Sequence, residues 1–233
     1  MTHILALDTS GTSCSVALWS DTGLLIGKEE LAHRQHTQRL LPMVKDLLVE
    51  ADIKMANLDA IAYGRGPGSF TGIRIAAGVA QGLAFGIGCE VLPISTLAAL
   101  ALRAAHKSHA ADLSYACSLD ARMGEVYWGE YIIDENHPAL AIPQVVERVC
   151  SPEQVKVMSR DYLACGSGMD VANMPQKIIM AAQSVSPEIE PRALEMVRLA
   201  AAGFALGLQC APEDALPVYL RDEVTWQKLP RYQ

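Results

Sequence analysis

Two short apolar segments of the sequence each end in an aspartate that is followed by a tight turn. Residues 4–8 end in Asp8, and residues 114–120 end in Asp120. Both segments are predicted to be strands, so both carboxyl groups are expected where a strand ends. Carboxylates that face each other across a cleft would suit an ATPase or a small-molecule kinase, in which protein groups position phosphates. The predicted cleft residues are Asp8, Thr9, Ser10, Asp120, Gly166 and Gly168.

A glycine-rich segment at residues 64–72 lies between a predicted strand and a predicted helix, which is the usual setting of a phosphate-binding loop. It lacks the Lys-Ser/Thr pair of a P-loop, so no side chain would reach a terminal phosphate. Pro67 removes one backbone N–H, and no carboxylate follows at the spacing of a dinucleotide site. Two interpretations remain, a tight structural turn or a residual contact with an anion or a partner.

No catalytic residue, metal site or cofactor is predicted. The histidines occur as two pairs, His33 with His36 and His106 with His109, and neither pair has a third ligand nearby, so surface or capping roles are favoured. The six cysteines lie far apart without a CxxC pair, which is typical of reduced thiols in a protein core.

Composition and charge narrow the class of protein. The chain has 233 residues, of which 51% are hydrophobic, and that content can supply a large core. Its formal charge of −7 works against direct binding of nucleic acid. No secretory signal is recognised at the N-terminus, so a cytoplasmic protein is expected. The apolar residues 74–103 are interpreted as a helix, a strand and a helix of a buried core, so no membrane span is expected there.

The order of predicted elements indicates an α/β fold with two similar lobes. Strands at residues 4–8, 14–19 and 24–28 precede a helix at 37–51 with Thr37 as its N-cap, a strand at 58–63 and a helix at 73–86. This is the order of a ribonuclease-H-like lobe, and the plan begins again near residue 114. The layout resembles that of the actin-like ATPases, although on the repeat alone an accidental repetition of two hairpins stays open.

The lobe boundaries and the later elements are predicted from the same patterns. Residues 1–105 form the first lobe, which residues 215–233 are expected to join, and residues 106–214 form a smaller second lobe. Within the second lobe we expect an edge strand at 144–150, a helix beginning at Ser151, a strand at 162–165 and a long helix at 192–208.

The helix at 73–86 contains glycines at every fourth position, Gly78, Gly82 and Gly86. Interior glycines weaken a helix, so close packing is expected to compensate, either against the lobe's own sheet or against a helix of another protein. The second alternative predicts a partner surface made with the helix at 37–51. Its predicted residues are Leu40, Met43, Val44, Leu47, Ile75, Gly78, Val79, Gly82, Phe85 and Gly86.

Four segments in this order resemble the bacterial TsaB (YeaZ) family: residues 4–8, 63–74, 120–127 and 217–221. The stretch Gly-Arg-Gly-Pro-Gly-Ser-Phe-Thr-Gly at 64–72 is the specific one. The resemblance implies a non-catalytic subunit in the synthesis of threonylcarbamoyladenosine on tRNAs that read codons beginning with A. It implies binding to the transferase TsaD together with the ATPase TsaE, a homodimer when the chain is alone, and contact with tRNA only through the complex.

The same resemblance implies where a catalytic relative would differ. The metal motif of TsaD, His-Met-Glu-Gly-His, would fall at residues 96–100, which here read Thr-Leu-Ala-Ala-Leu. Neither Thr96 nor Leu100 can replace an imidazole ligand. Two hypotheses follow, an interaction subunit without chemistry of its own and, as the alternative, an active ATPase or kinase of the actin-like class.

Overall fold

The computed structural model describes residues 1–32, 34–109, 113–135, 137 and 139–221. They form two mixed β-sheets flanked by helices, which confirms the predicted α/β fold with two lobes. The first sheet consists of β1 (His3–Asp8), β2 (Ser13–Ser20), β3 (Leu25–Leu31), β4 (Ala60–Gly66) and β5 (Glu90–Ser95). The second consists of β6 (Ser114–Arg122), β7 (Glu125–Ile133), β8 (Ala141–Pro143), β9 (Arg148–Cys150), β10 (Tyr162–Cys165) and β11 (Ser184–Ser186). The α-helices are α1 (His36–Glu50), α2 (Phe70–Ile87), α3 (Thr96–Ser108), α4 (Gln176–Ala181) and α5 (Ala193–Ala205).

The strand order of the first sheet is β3-β2-β1-β4-β5, with β1 to β3 antiparallel and β4 and β5 parallel to β1. The second sheet begins in the same way, because the β6–β7 hairpin is antiparallel and β10 runs parallel to β6. Carboxyl ends of parallel strands meet at one edge of a sheet. We call this the carboxyl edge, and on the first sheet it carries Asp8, Gly66 and Ser95.

Successive side chains of β1 point to opposite sides of the first sheet and so belong to different layers of the core. Ile4 and Ala6 face a middle layer that also contains α3, α5 and β6, whereas Leu5 and Leu7 face α1 and α2. A third cluster covers the outer side of the second sheet around Trp128. The middle layer is continuous from one sheet to the other, so the two lobes share one core.

The packing does not follow the predicted division of the chain at residue 105. Helix α3, in the range assigned to the first lobe, packs mainly on the second sheet, and α5, in the range assigned to the second, packs on β1 and β2. At the C-terminal end the Val218 N–H donates to Arg65 O (2.8 Å), so this segment lies on the first lobe. Residues 222–233, also assigned there, lie outside the described residues.

Several predicted boundaries are wrong. Gln35, not Thr37, is the N-cap of α1, and its side chain accepts no capping hydrogen bond. Helix α2 begins at Phe70 because Ser69 caps it, its side chain accepting from Gly72 N (3.3 Å), and Gly88 ends it in the left-handed region. The single edge strand predicted at 144–150 is two short strands, β8 and β9. A 3₁₀ turn, Pro152–Gln154, stands where a helix was predicted, and the last helix ends at Ala205.

By length and composition one helix in the described part of the chain, Phe70–Ile87, could cross a membrane. About a third of that window is buried inside the protein (33%). The prediction of a buried stretch at 74–103 therefore holds for most of β5 and α3, but for only one side of α2. All six cysteines are free thiols, four of them buried.

Candidate functional site

The carboxyl group of Asp8 lies at the end of β1 and is sealed from solvent. Thr9 and Ser10, which follow it, are also buried. The Ser10 N–H and the Ser10 hydroxyl each donate to the Asp8 carboxyl, both at 3.1 Å. Burial outweighs these two hydrogen bonds and raises the pKa of Asp8 to about 7. Because its own chain encloses it, the Asp8 carboxyl group is not placed to contact a metal ion or a substrate.

The segment 64–72 covers Asp8 by backbone contact. A β-carbon at Gly64 would overlap an Asp8 carboxyl oxygen, one at Gly68 would lie 2.7 Å from Ser10 O, and one at Gly72 would overlap Thr9 O. We call these three the inner glycines. They are glycines because the strand end approaches within the space that any side chain would need.

Hydrogen bonds hold this cover in place. The Ser69 N–H donates to Ser10 O (2.8 Å), and the Thr9 hydroxyl donates to Gly72 O (2.6 Å). The backbone donor at Ser69 therefore points into the protein and not towards an anion. Of the two interpretations of the segment, these contacts favour the tight structural turn.

The corresponding aspartate of the second sheet has a different environment. Asp120 is partly exposed, accepts a hydrogen bond from Arg122 N (2.7 Å) and forms an ion pair with the Arg122 guanidinium (3.0 Å). The two predicted cleft glycines beside it, Gly166 and Gly168, serve close packing, because a β-carbon at either position would overlap Ser118. The six predicted cleft residues are thus engaged with their own chain at the ends of three strands, β1 in the first sheet and β6 and β10 in the second.

Direct contacts join the two lobes at the carboxyl edge. The Thr96 hydroxyl donates to Pro67 O, which links the start of α3 to the glycine segment. Glu147 of the second lobe accepts from the hydroxyls of Ser95 and Tyr131 and lies 3.5 Å from the Arg65 guanidinium. Sequence reasoning missed Arg65 and Glu147, since nothing local relates residues so far apart in the chain.

The positions implied to replace the metal motif are part of the core. Thr96, Leu97 and Leu100 are fully buried. No group of three or more His, Cys, Asp or Glu side chains is arranged to hold a metal ion within the described residues. Of the two histidine pairs, His33 lies outside those residues, and His106 contacts the buried Glu195 (3.7 Å).

The outward side of α2 is where the structure leaves room for another molecule. A β-carbon at Gly78, Gly82 or Gly86 would meet nothing within 4 Å, and we call these three the outer glycines. Beside them the Phe85 ring is 82% exposed, and Ile75 and Val79 are half-buried. The alternative of close packing against the lobe's own sheet is wrong, because α2 turns Ala76, Ala80 and Ala84 towards that sheet instead.

The prediction that α1 supplies the other half of the partner surface is wrong. All four α1 residues proposed for it lie in the core of the first lobe and are almost inaccessible: Leu40, Met43, Val44 and Leu47. An apolar stripe on an amphipathic helix marks the side that faces the core. The exposed apolar side chains of α1 are Leu41 and Val49.

An aromatic and cationic cluster at the first turn of α2 was also missed. The Arg74 guanidinium carbon lies 3.5 Å from the centre of the Phe70 ring and 5.2 Å from that of Tyr219, and Arg74 Nε donates to the Tyr219 hydroxyl (2.7 Å). Phe70 and Arg74 precede Gly78, Gly82 and Gly86 at intervals of four, so all five lie on the exposed half of the helix, each about 40° further around its axis than the one before. We call this side, together with Phe85, the α2 face.

Comparison with known proteins gives consistent matches. The family model described as TsaD, tRNA N6-adenosine threonylcarbamoyltransferase, matches residues 29–228. The tRNA threonylcarbamoyladenosine biosynthesis protein TsaB of Escherichia coli (strain K12) is 41% identical over 236 residues, with 98% of each chain covered. The protein of the same name from Haemophilus influenzae is 38% identical, with 97% of each covered. The solved structure of YeaZ from Pseudomonas aeruginosa has a TM-score of 0.87 and 43% identity, covering 94% of this chain and 100% of that one.

Proposed function

The chain belongs to the TsaB (YeaZ) family, and from that premise we propose that it acts in threonylcarbamoyladenosine biosynthesis on tRNA as a non-catalytic subunit that binds a TsaD-type transferase. A TsaE-type ATPase joins the same complex, and the chain pairs with itself when the transferase is missing. The tRNAs are those that read codons beginning with A. With a formal charge of −7, the chain contacts tRNA only through the complex, whose other subunits supply the basic surface.

The observation that carries this proposal is the row of outer glycines. Gly78 and Gly82 in the interior of α2 together cost the helix about 2 kcal/mol relative to alanine, and the open space around all three glycines means that this chain's own packing does not require them. A row without side chains allows the backbone of a partner helix to approach closely. The exposed Phe85 ring beside the row offers apolar area to the same partner.

The absence of chemistry of its own is supported by the sealed strand end. In an ATPase of the actin-like class the carboxylates must meet a magnesium nucleotide, but Asp8 faces Ser10 and the glycine segment. Asp120 is paired with Arg122. The alternative of an active ATPase or kinase would require segment 64–72 to leave the strand end, with loss of the hydrogen bonds from Ser69 and Thr9.

The partner role is tested by placing a bulky side chain in the row. Gly82→Trp is expected to weaken binding to the TsaD-type subunit by at least about 100-fold, or about 2.7 kcal/mol, because an indole would hold the two backbones apart. The fold should survive, since position 82 opens to solvent. Affinity is measured by titration calorimetry with the purified transferase subunit, and folding by thermal denaturation.

Met180→Trp is the matched control, because Met180 is 82% exposed on α4 of the second lobe and its replacement adds the same ring elsewhere. Binding by Gly82→Trp with the affinity of Met180→Trp would refute the α2 face as the contact.

The non-catalytic role has its own test, in which the chain purified alone is incubated with ATP and magnesium. Steady phosphate release that Asp8→Asn abolishes would establish the ATPase alternative.

A further inference from the structure

Residues 216–221 cross from the first lobe to the second, and we call them the strap. The strap begins on β4, where the Tyr63 hydroxyl donates to Leu216 O (3.2 Å) and the Val218 N–H donates to Arg65 O (2.8 Å). Arg65 is itself the β4 residue whose guanidinium lies near Glu147 of the second lobe. The first half of the strap is therefore fixed to the carboxyl edge of the first sheet.

The strap ends on the β6–β7 hairpin of the second sheet. Arg221 donates to Ala121 O (3.2 Å), forms an ion pair with Glu125, and places a second guanidinium nitrogen 3.6 Å from the Met123 sulfur. Its side chain is largely buried by these contacts, at 23% exposure. An arginine held by a carbonyl, a carboxylate and a thioether is an anchor and not a solvated surface charge.

Tyr219 lies between these two anchor points. One residue before it, Val218 is bound to β4, and two residues after it, Arg221 is bound to the hairpin. The Tyr219 ring lies 5.9 Å from the Phe70 ring, its hydroxyl accepts from Arg74 Nε, and it is 45% exposed. Because Phe70 and Arg74 belong to the α2 face, the strap adds an aromatic side chain to that face.

We propose that Arg221 is a positioning residue of the partner surface: its anchor on the second-lobe hairpin holds Tyr219 against Phe70 and Arg74 on the α2 face. The surface is thus composite and needs both lobes to be complete. Exposed tyrosine and arginine side chains are the types that most often dominate binding energy at interfaces. This inference rests on the proposed function for its partner, but the anchoring of the strap can be measured without one.

The experiment combines hydrogen exchange with a double-mutant cycle. In the isolated chain, Arg221→Ala is expected to speed exchange of the Val218 amide about tenfold, because the strap is then held at one end only. Affinity for the TsaD-type subunit should fall about tenfold for Arg221→Ala and further for Tyr219→Ala. In the double variant the loss should equal that of Tyr219→Ala alone, since Arg221 acts through that ring. Arg221→Lys, which keeps the charge beside Glu125, should recover most of the affinity.

Arg122→Ala is the matched control, because Arg122 lies in the same hairpin, pairs with Asp120 and is 83% exposed. It should leave both the Val218 exchange rate and the affinity unchanged. Fully additive losses in the double variant, an unchanged Val218 exchange rate in Arg221→Ala, or equal effects of Arg221→Ala and Arg122→Ala would each overturn the inference. A wild-type chain that binds no TsaD-type subunit would refute the proposed function, and the Val218 exchange rate would still decide whether Arg221 anchors the strap.

Discussion

The inner glycines, Gly64, Gly68 and Gly72, and the outer glycines, Gly78, Gly82 and Gly86, lie on adjoining stretches of chain but have opposite surroundings. At each inner position a β-carbon would collide with the strand end at Asp8–Ser10, whereas at each outer position it would enter open space. The first set is therefore required by the fold, and the second set is free of that requirement. Glycines that look alike in a sequence can thus differ, because internal packing requires glycine at some positions and leaves the choice open at others.

The largest expected effect that would sharpen this comparison is that of Gly72→Ala. Its methyl group would overlap Thr9 O, a backbone atom that cannot turn aside, while the Thr9 hydroxyl is bonded to Gly72 O. We expect a loss of at least about 4 kcal/mol in the free energy of unfolding, a size reserved for strain or core overpacking. Urea denaturation measures it. A variant within about 1 kcal/mol of wild type would show that the strand end can move, and the distinction between the two sets would fail.

The second effect concerns the carboxyl group that the inner glycines enclose. The folded pKa of Asp8, about 7, lies above the ordinary aspartate value of 3.8, so the folded state holds its proton more tightly. Stability should therefore fall as pH rises from about 4 to about 7, by up to about 4 kcal/mol. Asp8→Asn removes this loss of stability, because an amide does not ionise. The asparagine side chain can still accept the hydrogen bond from Ser10 N, so the variant should be more stable than wild type above pH 7.

The measurement is thermal denaturation of wild type and Asp8→Asn between pH 5 and pH 8. The gap between the two melting temperatures should widen as pH increases. Asp120→Asn is the control, because Asp120 is partly exposed and paired with Arg122. A gap that stays constant with pH, or that matches the control, would mean that Asp8 is not buried as a neutral acid.

The smallest effect has the opposite sign to the first. Gly82→Ala places a methyl group in open space within a helix, so the free energy of unfolding should rise by about 1 kcal/mol. For a chain of this length the melting temperature should rise by about 2–4 °C. Differential scanning calorimetry of Gly82→Ala and Gly72→Ala together gives the sharpest comparison. Destabilisation at position 82 would show that the outer glycines also serve the fold.

Much of the fold could be predicted because its signals are local. Alternation and turn residues located β1, β2 and the β6–β7 hairpin, and their recurrence indicated two lobes. The start of α2 was placed three residues late because Ser69 was not recognised as its N-cap. Helix α1 was located well, but its apolar stripe was assigned to a partner when it faces the first lobe's core. The stripe reports burial and cannot say what buries it.

The candidate site was predicted less completely because its contacts connect distant parts of the chain. The row of outer glycines was visible at intervals of four, although the sequence could not decide between the lobe's own sheet and a second protein. The contacts of Arg65 with Glu147 and of Arg221 with Glu125 join residues about 80 to 100 positions apart, and no periodicity or motif links them. The burial of Asp8 could not be predicted from the sequence either, since only the fold brings segment 64–72 over the end of β1.

The middle layer, in which α3 and α5 fill the space between the sheets, has a mechanical consequence. Kinases and related enzymes close around a ligand by moving one half of the molecule relative to the other. Here the halves are joined through a densely packed interior, and a jaw-like opening would have to shear Leu97, Leu100 and Met196 past their neighbours. We therefore expect the described part of the chain to behave as one stiff block, without the opening and closing of its two halves.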